Sequence, residues 1–233
     1  MFDALYLSPH FDDAVLSCGA QIWDRTQRGE RVAVVTVCAA PPPPPEQLSP
    51  FAASLHARWN KLGTFDRAAE DREALARLDA TPIYLNFHDC IYRRSPTGEW
   101  LYDSEADIFG SVSALEASLI DELAASFEAL ELKPGAAIFA PRAIGNHVDH
   151  QIVRAAGEQW RRARRGFPGG SFRYYADYPY AESAPGGEEV QVSEAGRRQK
   201  IHALSAYLSQ LSTFWPDEAT MTAQVNQWSE RSF

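Results

Sequence analysis

"LYLSPHFDDAVLSCGA" (Leu5–Ala20) is the stretch on which the reading of this chain turns. Leu5–Ser8 is a short apolar run of strand character. Ala14–Arg28 carries apolar residues at Val15, Leu16, Ile22 and Trp23, with Gly29 as a stop, which is the pattern of a helix. "RVAVVTVCAA" (Arg31–Ala40) comes next, β-branched and apolar on both faces. A strand of that kind lies between two helix layers. Strand, helix and strand at this spacing form a βαβ unit, whose strands pair in parallel.

The same alternation continues outward. "PPPPP" (Pro41–Pro45) reads as a stiff polyproline loop, since it can be neither helix nor inner strand. Arg67–Leu78 is predicted as a helix charged on one face, and "TPIYLNF" (Thr81–Phe87) as a third strand. Ile91–Ile108 is polar and turn-rich, the mark of a long functional loop. Val112–Leu130 is a predicted helix, "AAIFAP" (Ala136–Pro141) a fourth buried strand, and His147–Arg165 a further helix. "FRYYADYPY" (Phe172–Tyr180) begins as a strand, and "APGGEE" (Ala184–Glu189) is a turn. Gly196–Leu211 and Glu218–Trp228 are predicted closing helices. No internal repeat or linker divides the chain, so the expectation is one α/β domain over residues 1–233.

Composition narrows the function. The 233 residues suffice for a full core, and the formal net charge of −9 argues against a nucleic-acid partner, which needs basic patches. The one basic run, "RRARR" (Arg161–Arg165), reads as a solvated helix end whose cations complement the dipole. There is no basic start followed by an apolar core that would mark a secretory signal, and no apolar run near the ~20 residues of a membrane span. Cys18, Cys38 and Cys90 are odd in number and have no CxxC spacing, so they read as buried thiols. The expectation is a cytoplasmic protein with no membrane partner; self-association is left open.

In open α/β sheets, ligands sit beyond the carboxyl ends of the strands. His10, Asp12 and Asp13 follow the first strand directly, and "HVDH" (His147–His150) follows the fourth. His147 and His150 are at i, i+3, so both can share one helical face. Asp149 could merely charge the first turn of its helix, and Asp12 or Asp13 could cap the helix after the first strand. Two His/Asp clusters at corresponding strand ends point instead to one metal site. Catalytic zinc takes three N/O ligands and keeps a position for water. A spare carboxylate would then act as base and a spare histidine as oxyanion donor. The spacing does not say which aspartate binds metal.

"PHFDD" resembles the PHPDD motif of the LmbE-like, or PIG-L, deacetylase family, and "HVDH" is similar to its second motif, HPDH. Weaker likeness runs through "RAAEDREALARL" (Arg67–Leu78), "HDCIYR" (His88–Arg93), "YYADYPYA" (Tyr174–Ala181) and "KIHALSAYLSQL" (Lys200–Leu211). The resemblance implies a Rossmann-like three-layer fold, with a mainly parallel sheet and helices on both faces. It implies one Zn2+ per chain and removal of an N-acetyl group from an N-acetylglucosamine-containing small molecule. It places zinc on His10, Asp13 and His150, the general base at Asp12 and the oxyanion histidine at His147, with Asp149 setting its orientation and charge. Phe11 stands where the family usually has Pro, and Ala14 where Glu is common. Some members carry a Tyr two residues before the first His of the second motif. Here that residue is Gly145, so an assisting Tyr must come from another loop.

Asp89 and Arg93 follow the third strand, and a carboxylate suits vicinal sugar hydroxyls, so both are candidate substrate contacts. Arg67, at a family position that faces substrate, and Arg142, between the fourth strand and the His motif, are two more. Trp59, Trp100 and Tyr102 could stack on a sugar, but aromatic residues more often pack the interior; Cys90 reads as a buried filler. A dehydrogenase or methyltransferase is disfavoured, because GxGxxG is missing after the first strand and no acid follows the second. An aspartyl phosphotransferase explains neither His147 nor His150. A zinc amidohydrolase acting on another N-acylated molecule, such as an antibiotic or thiol-precursor conjugate, and a non-catalytic sugar-binding relative remain as alternatives.

Overall fold

The central strand, β1 (Phe2–Ser8), sends alternate residues to opposite sides, as a strand must. Ala4 and Tyr6 enter a cluster with Val15, Ile22, Val34, Phe139 and Leu204, while Leu5 and Leu7 enter another with Val35, Leu123, Phe127, Ile138 and Trp160. Both faces are therefore covered, and each fully buried aliphatic or aromatic side chain contributes roughly 1.5–3 kcal/mol. The computed structural model of the chain describes residues 1–60, 66–163, 169–181 and 184–233.

From β1 the chain passes through α1 (Asp13–Gln27) to β2 (Val32–Thr36), then α2 (Pro50–Trp59), α3 (Arg67–Arg77) and β3 (Thr81–Tyr84). A short α4 (Glu105–Ile108) and α5 (Ala117–Ser126) lead to β4 (Leu132–Pro141), α6 (Val148–Ala163) and β5 (Ser171–Tyr175). The chain closes with β6 (Glu188–Glu189), α7 (Glu194–Leu204), α8 (Leu208–Phe214), α9 (Glu218–Gln227) and β7 (Arg231–Ser232). The sheet order is β3-β2-β1-β4-β5-β7-β6. The first five of these pair in parallel, and β7 runs antiparallel to β5 and β6. Pro82, which has no N–H to donate, is tolerated because β3 is an edge strand. The chain moves from β1 outward to β3, then returns to place β4 on the other side of β1. That reversal opens a crevice at the carboxyl ends of β1 and β4.

The α/β architecture with a mainly parallel sheet is as expected, and the departures are local. The predicted helix Gly196–Leu211 is two helices, parted just before Tyr207, whose hydroxyl reaches the carbonyl of Phe11 and Asp71. The predicted helix Val112–Leu130 keeps its α-helical centre in α5, with single 3-10 turns at Ala114–Glu116 and Phe127–Ala129. The loop predicted over Ile91–Ile108 holds α4 and part of a 3-10 turn, Cys90–Tyr92. Of the basic run, Arg161 and Arg162 end α6, while Arg164 and Arg165 lie outside the described residues. Cys18, Cys38 and Cys90 are buried free thiols. Among the described residues, no helix is long and apolar enough to cross a membrane.

The C-terminal segment is locked to α7 by a buried ion pair and to α1 by hydrogen bonds from its backbone. Lys200 Nζ lies 2.9 Å from Glu230 Oε1, with side chains 3% and 2% exposed. Glu230 also accepts from the N–H groups of Ala20 and Gln21 at 2.9 Å. Removing one member leaves an uncompensated buried charge, so Glu230→Leu should destabilise the fold by about 3–5 kcal/mol in urea unfolding. Lys200→Met combined with Glu230→Leu should cost less than Glu230→Leu alone. A double variant whose loss equals the sum of the Lys200→Met and Glu230→Leu losses would show that the pair is not coupled.

Candidate active site and metal centre

The loop after β1 is pinned from within. Ser8 Oγ donates to the carbonyl of His10 (2.6 Å) and accepts from the N–H of Ala14 (3.1 Å). The N–H of His10 donates to Asp13 Oδ2 (2.8 Å), and the Tyr207 hydroxyl reaches the carbonyl of Phe11 (2.8 Å). These contacts turn His10, Asp12 and Asp13 into the crevice. From the other side, α6 begins at Val148 and brings in His147, Asp149 and His150, all buried.

The two clusters meet on Asp13. Its Oδ2 lies 3.1 Å from His10 Nδ1 and 3.3 Å from His150 Nε2. His10, Asp13 and His150 thus offer donor atoms within 4.8 Å of one another, a group able to hold a metal ion. The far nitrogen of each imidazole is also held. His10 Nε2 lies 3.0 Å from Asp149 Oδ2, and His150 Nδ1 lies 2.7 Å from Asp177 Oδ1. A carboxylate behind each metal-facing histidine fixes the ring and makes it a better ligand. Asp177 is fully buried and also accepts from the N–H of Ile144 (3.0 Å). It was not singled out from the sequence, although it follows an apolar strand as His10 and Asp13 do.

The electrostatics favour a cation. Burial opposes charge on His10, but Asp89, Asp13 and Asp149 outweigh it and hold the imidazole well above its ordinary pKa. Burial likewise opposes charge on His150, yet Asp13 and Asp177 lift it to about 10. Asp13 is pulled well below the usual carboxylate range by His150 and His10, against its burial. The field that keeps protons on both imidazoles is one that a divalent ion would satisfy.

Asp12 stands beside this group. It precedes α1 without capping it through its side chain, and Arg67 Nη2 is 3.6 Å from its Oδ1. Burial raises its pKa, Arg67 lowers it, Asp13 raises it again, and the balance is upward. His147 is pushed down to about 4 by burial and by His10. Its Nδ1 accepts from the N–H of Asp149 (3.3 Å), which leaves the proton of the neutral ring on Nε2. The Asp149 carboxylate is spent elsewhere: on His10, on the N–H of Cys90 (3.0 Å) and on Arg93 (2.5 Å).

The substrate candidates divide. Asp89 and Arg67 line the cleft with His10, Asp12, Asp13, His147 and His150. Asp89 Oδ1 also accepts from the N–H of Ile91 (3.3 Å), while its Oδ2 lies 3.7 Å from His10 Nε2, so it caps a turn and faces the site at once. Two arginines expected at the substrate are directed elsewhere. Arg93 is clamped between Asp149 and Glu116. The Arg142 guanidinium stacks over Tyr174 and Phe233, at 5.4 and 5.3 Å. Tyr102 is buried against Glu116, Trp100 lies under Arg94, and Trp59 lines the cleft. Gly145 has a φ of +91°, and a β-carbon there would collide with the Tyr180 ring. Tyr180, from the loop after β5, thus occupies the space beside the His motif and lines the cleft.

A match to the PIG-L family, described as GlcNAc-PI de-N-acetylase, spans residues 5–161. The chain belongs to that family. It is 28% identical over 192 residues to 2'-N-acetylparomamine deacetylase from Niallia circulans, a match covering 76% of this chain and 66% of that relative. The chain therefore spans just under two thirds of that protein. Among solved structures, the zinc-inhibited form of teicoplanin deacetylase superposes with a TM-score of 0.83 at 28% identity, covering 98% of this chain and 96% of that one. A40926 pseudoaglycone deacetylase gives a TM-score of 0.74 at 28% identity, covering 99% and 96%.

One proton count beside the site has a measurable effect. The Tyr207 hydroxyl faces two acceptors, the Phe11 carbonyl (2.8 Å) and Asp71 Oδ1 (2.6 Å), but has one proton. Tyr84 donates to the other oxygen, Oδ2, at 2.9 Å. If Tyr207 donates to Phe11, Asp71 must supply the second proton. Burial raises the Asp71 pKa to about 7, against the opposing hydrogen bonds from Tyr207 and Tyr84. An aspartate in the unfolded chain ionises near pH 3.9. Keeping Asp71 buried therefore costs stability progressively as pH rises from about 4 to about 7. Asp71→Asn removes that cost, so its stability relative to the wild type should rise between about pH 4 and pH 8, by up to about 4 kcal/mol in urea unfolding. A difference independent of pH would show that Asp71 does not hold the proton.

Proposed function

We propose that this chain is a zinc-dependent N-deacetylase acting on an N-acetylated amino sugar carried in a small conjugate. The observation that carries it is the shell around Asp13. Two imidazoles, each backed by a buried carboxylate, face one carboxylate oxygen, and the uncapped carboxylate of Asp12 lies alongside. The deacetylase names of the paromamine, teicoplanin and A40926 relatives support the same class of reaction.

In this reading His10 Nδ1, Asp13 and His150 Nε2 hold the ion. When bound, zinc acidifies water and polarises a carbonyl. Asp12 takes the proton from the attacking water and later delivers it to the departing amine, a task its raised pKa suits. His147 donates its Nε2–H to the carbonyl oxygen as charge develops there, as a neutral ring held by the N–H of Asp149. Asp149 and Asp177 act through the ligands, by holding the rings of His10 and His150. Asp89 accepts hydrogen bonds from sugar hydroxyls.

Release of acetate from an N-acetylglucosamine glycoside, dependent on added zinc and abolished by chelation, tests the reading. Metal bound at about one equivalent with no acetate released would leave a non-catalytic relative or an amidohydrolase of another N-acylated molecule. Asp12→Asn should retain the metal and lose roughly a hundredfold or more in turnover. Loss of metal in Asp12→Asn but not in Asp13→Asn would exchange their roles. Asp177→Asn should weaken zinc by roughly 10–100-fold in competition with a chelating dye. Unaltered zinc affinity there would leave His150 without need of its backing carboxylate.

A further inference from the structure

The catalytic cleft is small, with a volume of about 210 Å3. That is below the ~300–1,000 Å3 usual for sites that enclose a drug-sized ligand, and suits a sugar ring with its acyl group. A second chamber of about 450 Å3 adjoins it, and Trp59, Arg67 and Asp89 line both. Resting on the deacetylase reading, we propose that this chamber is an aglycone subsite, and that the substrate is an N-acetylated amino sugar bearing a neutral aromatic group.

The walls define the chemistry. Phe11, Pro41, Pro42 and Trp59 supply apolar faces. A proline run is stiff before anything binds, so little conformational entropy is lost when a flat group settles against it. The Arg67 guanidinium lies 4.9 Å from the centre of the Trp59 ring and 5.6 Å from that of Phe11, and so joins the aromatic faces into one surface. Charge argues against an anion. Arg67 is engaged by Asp12 at 3.6 Å, and Asp66 and Asp89 are also in the chamber wall. A phosphate or carboxylate there would face two carboxylates against one guanidinium that already lies beside Asp12.

Direction follows from the reaction. Asp12 must reach the departing nitrogen, so whatever that nitrogen is attached to lies on the Asp12 side. Arg67 adjoins Asp12 on that side and opens into the chamber. His147, which receives the carbonyl oxygen, packs instead against Phe109 with ring centres 5.4 Å apart, and neither residue lines the chamber. The chamber thus takes the far end of the sugar conjugate, and the acyl group points away from it.

The test compares the methyl and phenyl β-glycosides of N-acetylglucosamine on the full, zinc-loaded chain, with acetate release as readout. The phenyl glycoside should have a kcat/KM at least about tenfold higher, and should also bind more tightly to the zinc-free protein by calorimetry. Ala68→Trp, which fills the chamber from the first turn of α3, should bring the phenyl-to-methyl ratio to about one. Pro42→Ser, at an exposed wall position, should lower the ratio by removing the apolar face. Equal kcat/KM for the two glycosides overturns the subsite. So does a ratio unchanged in both variants, or a preference that follows the length of the N-acyl chain instead. Tighter phenyl binding with neither glycoside hydrolysed would uphold the subsite and overturn the deacetylase reading.

Discussion

The site depends on a single oxygen. Asp13 Oδ2 faces an imidazole nitrogen from the loop after β1 and another from the first turn of α6. Those segments are brought together by the parallel pairing of β1 with β4, Leu5 against Ile138 and Tyr6 against Phe139. The reversal of strand order at that pair lets both loops end in one crevice. A like-charged neighbour, Asp12, is tolerable beside Asp13 because His10 and Arg67 lie on either side. Sheet geometry and charge balance therefore meet at one carboxylate.

Much of this is legible in the sequence. A strand apolar on both faces needs covers on both, and that places β1, β2 and β4 in the middle of a parallel sheet. His/Asp clusters after the first and fourth strands then meet because both strand ends share a rim. What periodicity cannot supply is the direction of a side chain held by a distant partner. A helix whose apolar spacing continues is parted just before Tyr207, whose hydroxyl meets a carbonyl 196 residues away. Arg93 sits at the right strand end, but Glu116 and Asp149 claim its guanidinium. Asp177 escapes notice because an isolated aspartate after a strand is indistinguishable from a turn residue until His150 is seen beside it.

Where the sequence departs from its family motif, the structure shows local compensation. Phe11, in place of proline, gives the loop an aromatic wall against Tyr84, with ring centres 5.7 Å apart, and beneath Arg67. Its carbonyl, left exposed to the interior by the turn, is met by Tyr207. Gly145 leaves room for the Tyr180 ring, so an aromatic group borders the cleft from the loop after β5. Substitutions in the first motif and before the second thus reshape the walls while leaving the donor atoms around Asp13 in place.

The antiparallel end of the sheet has a consequence for how His150 is held. Tyr174 and Phe233 exchange backbone hydrogen bonds, and Ala176 donates to the carbonyl of Arg231 at 3.1 Å. Asp177, which holds His150, is the next residue. Arg231 and Phe233 therefore steady the strand end from which the carboxylate behind His150 emerges. Undoing β7 would leave His10, Asp13 and His150 in the chain but release the strand end that carries Asp177. The grip on an ion would then depend on strand pairing well away from the ion itself.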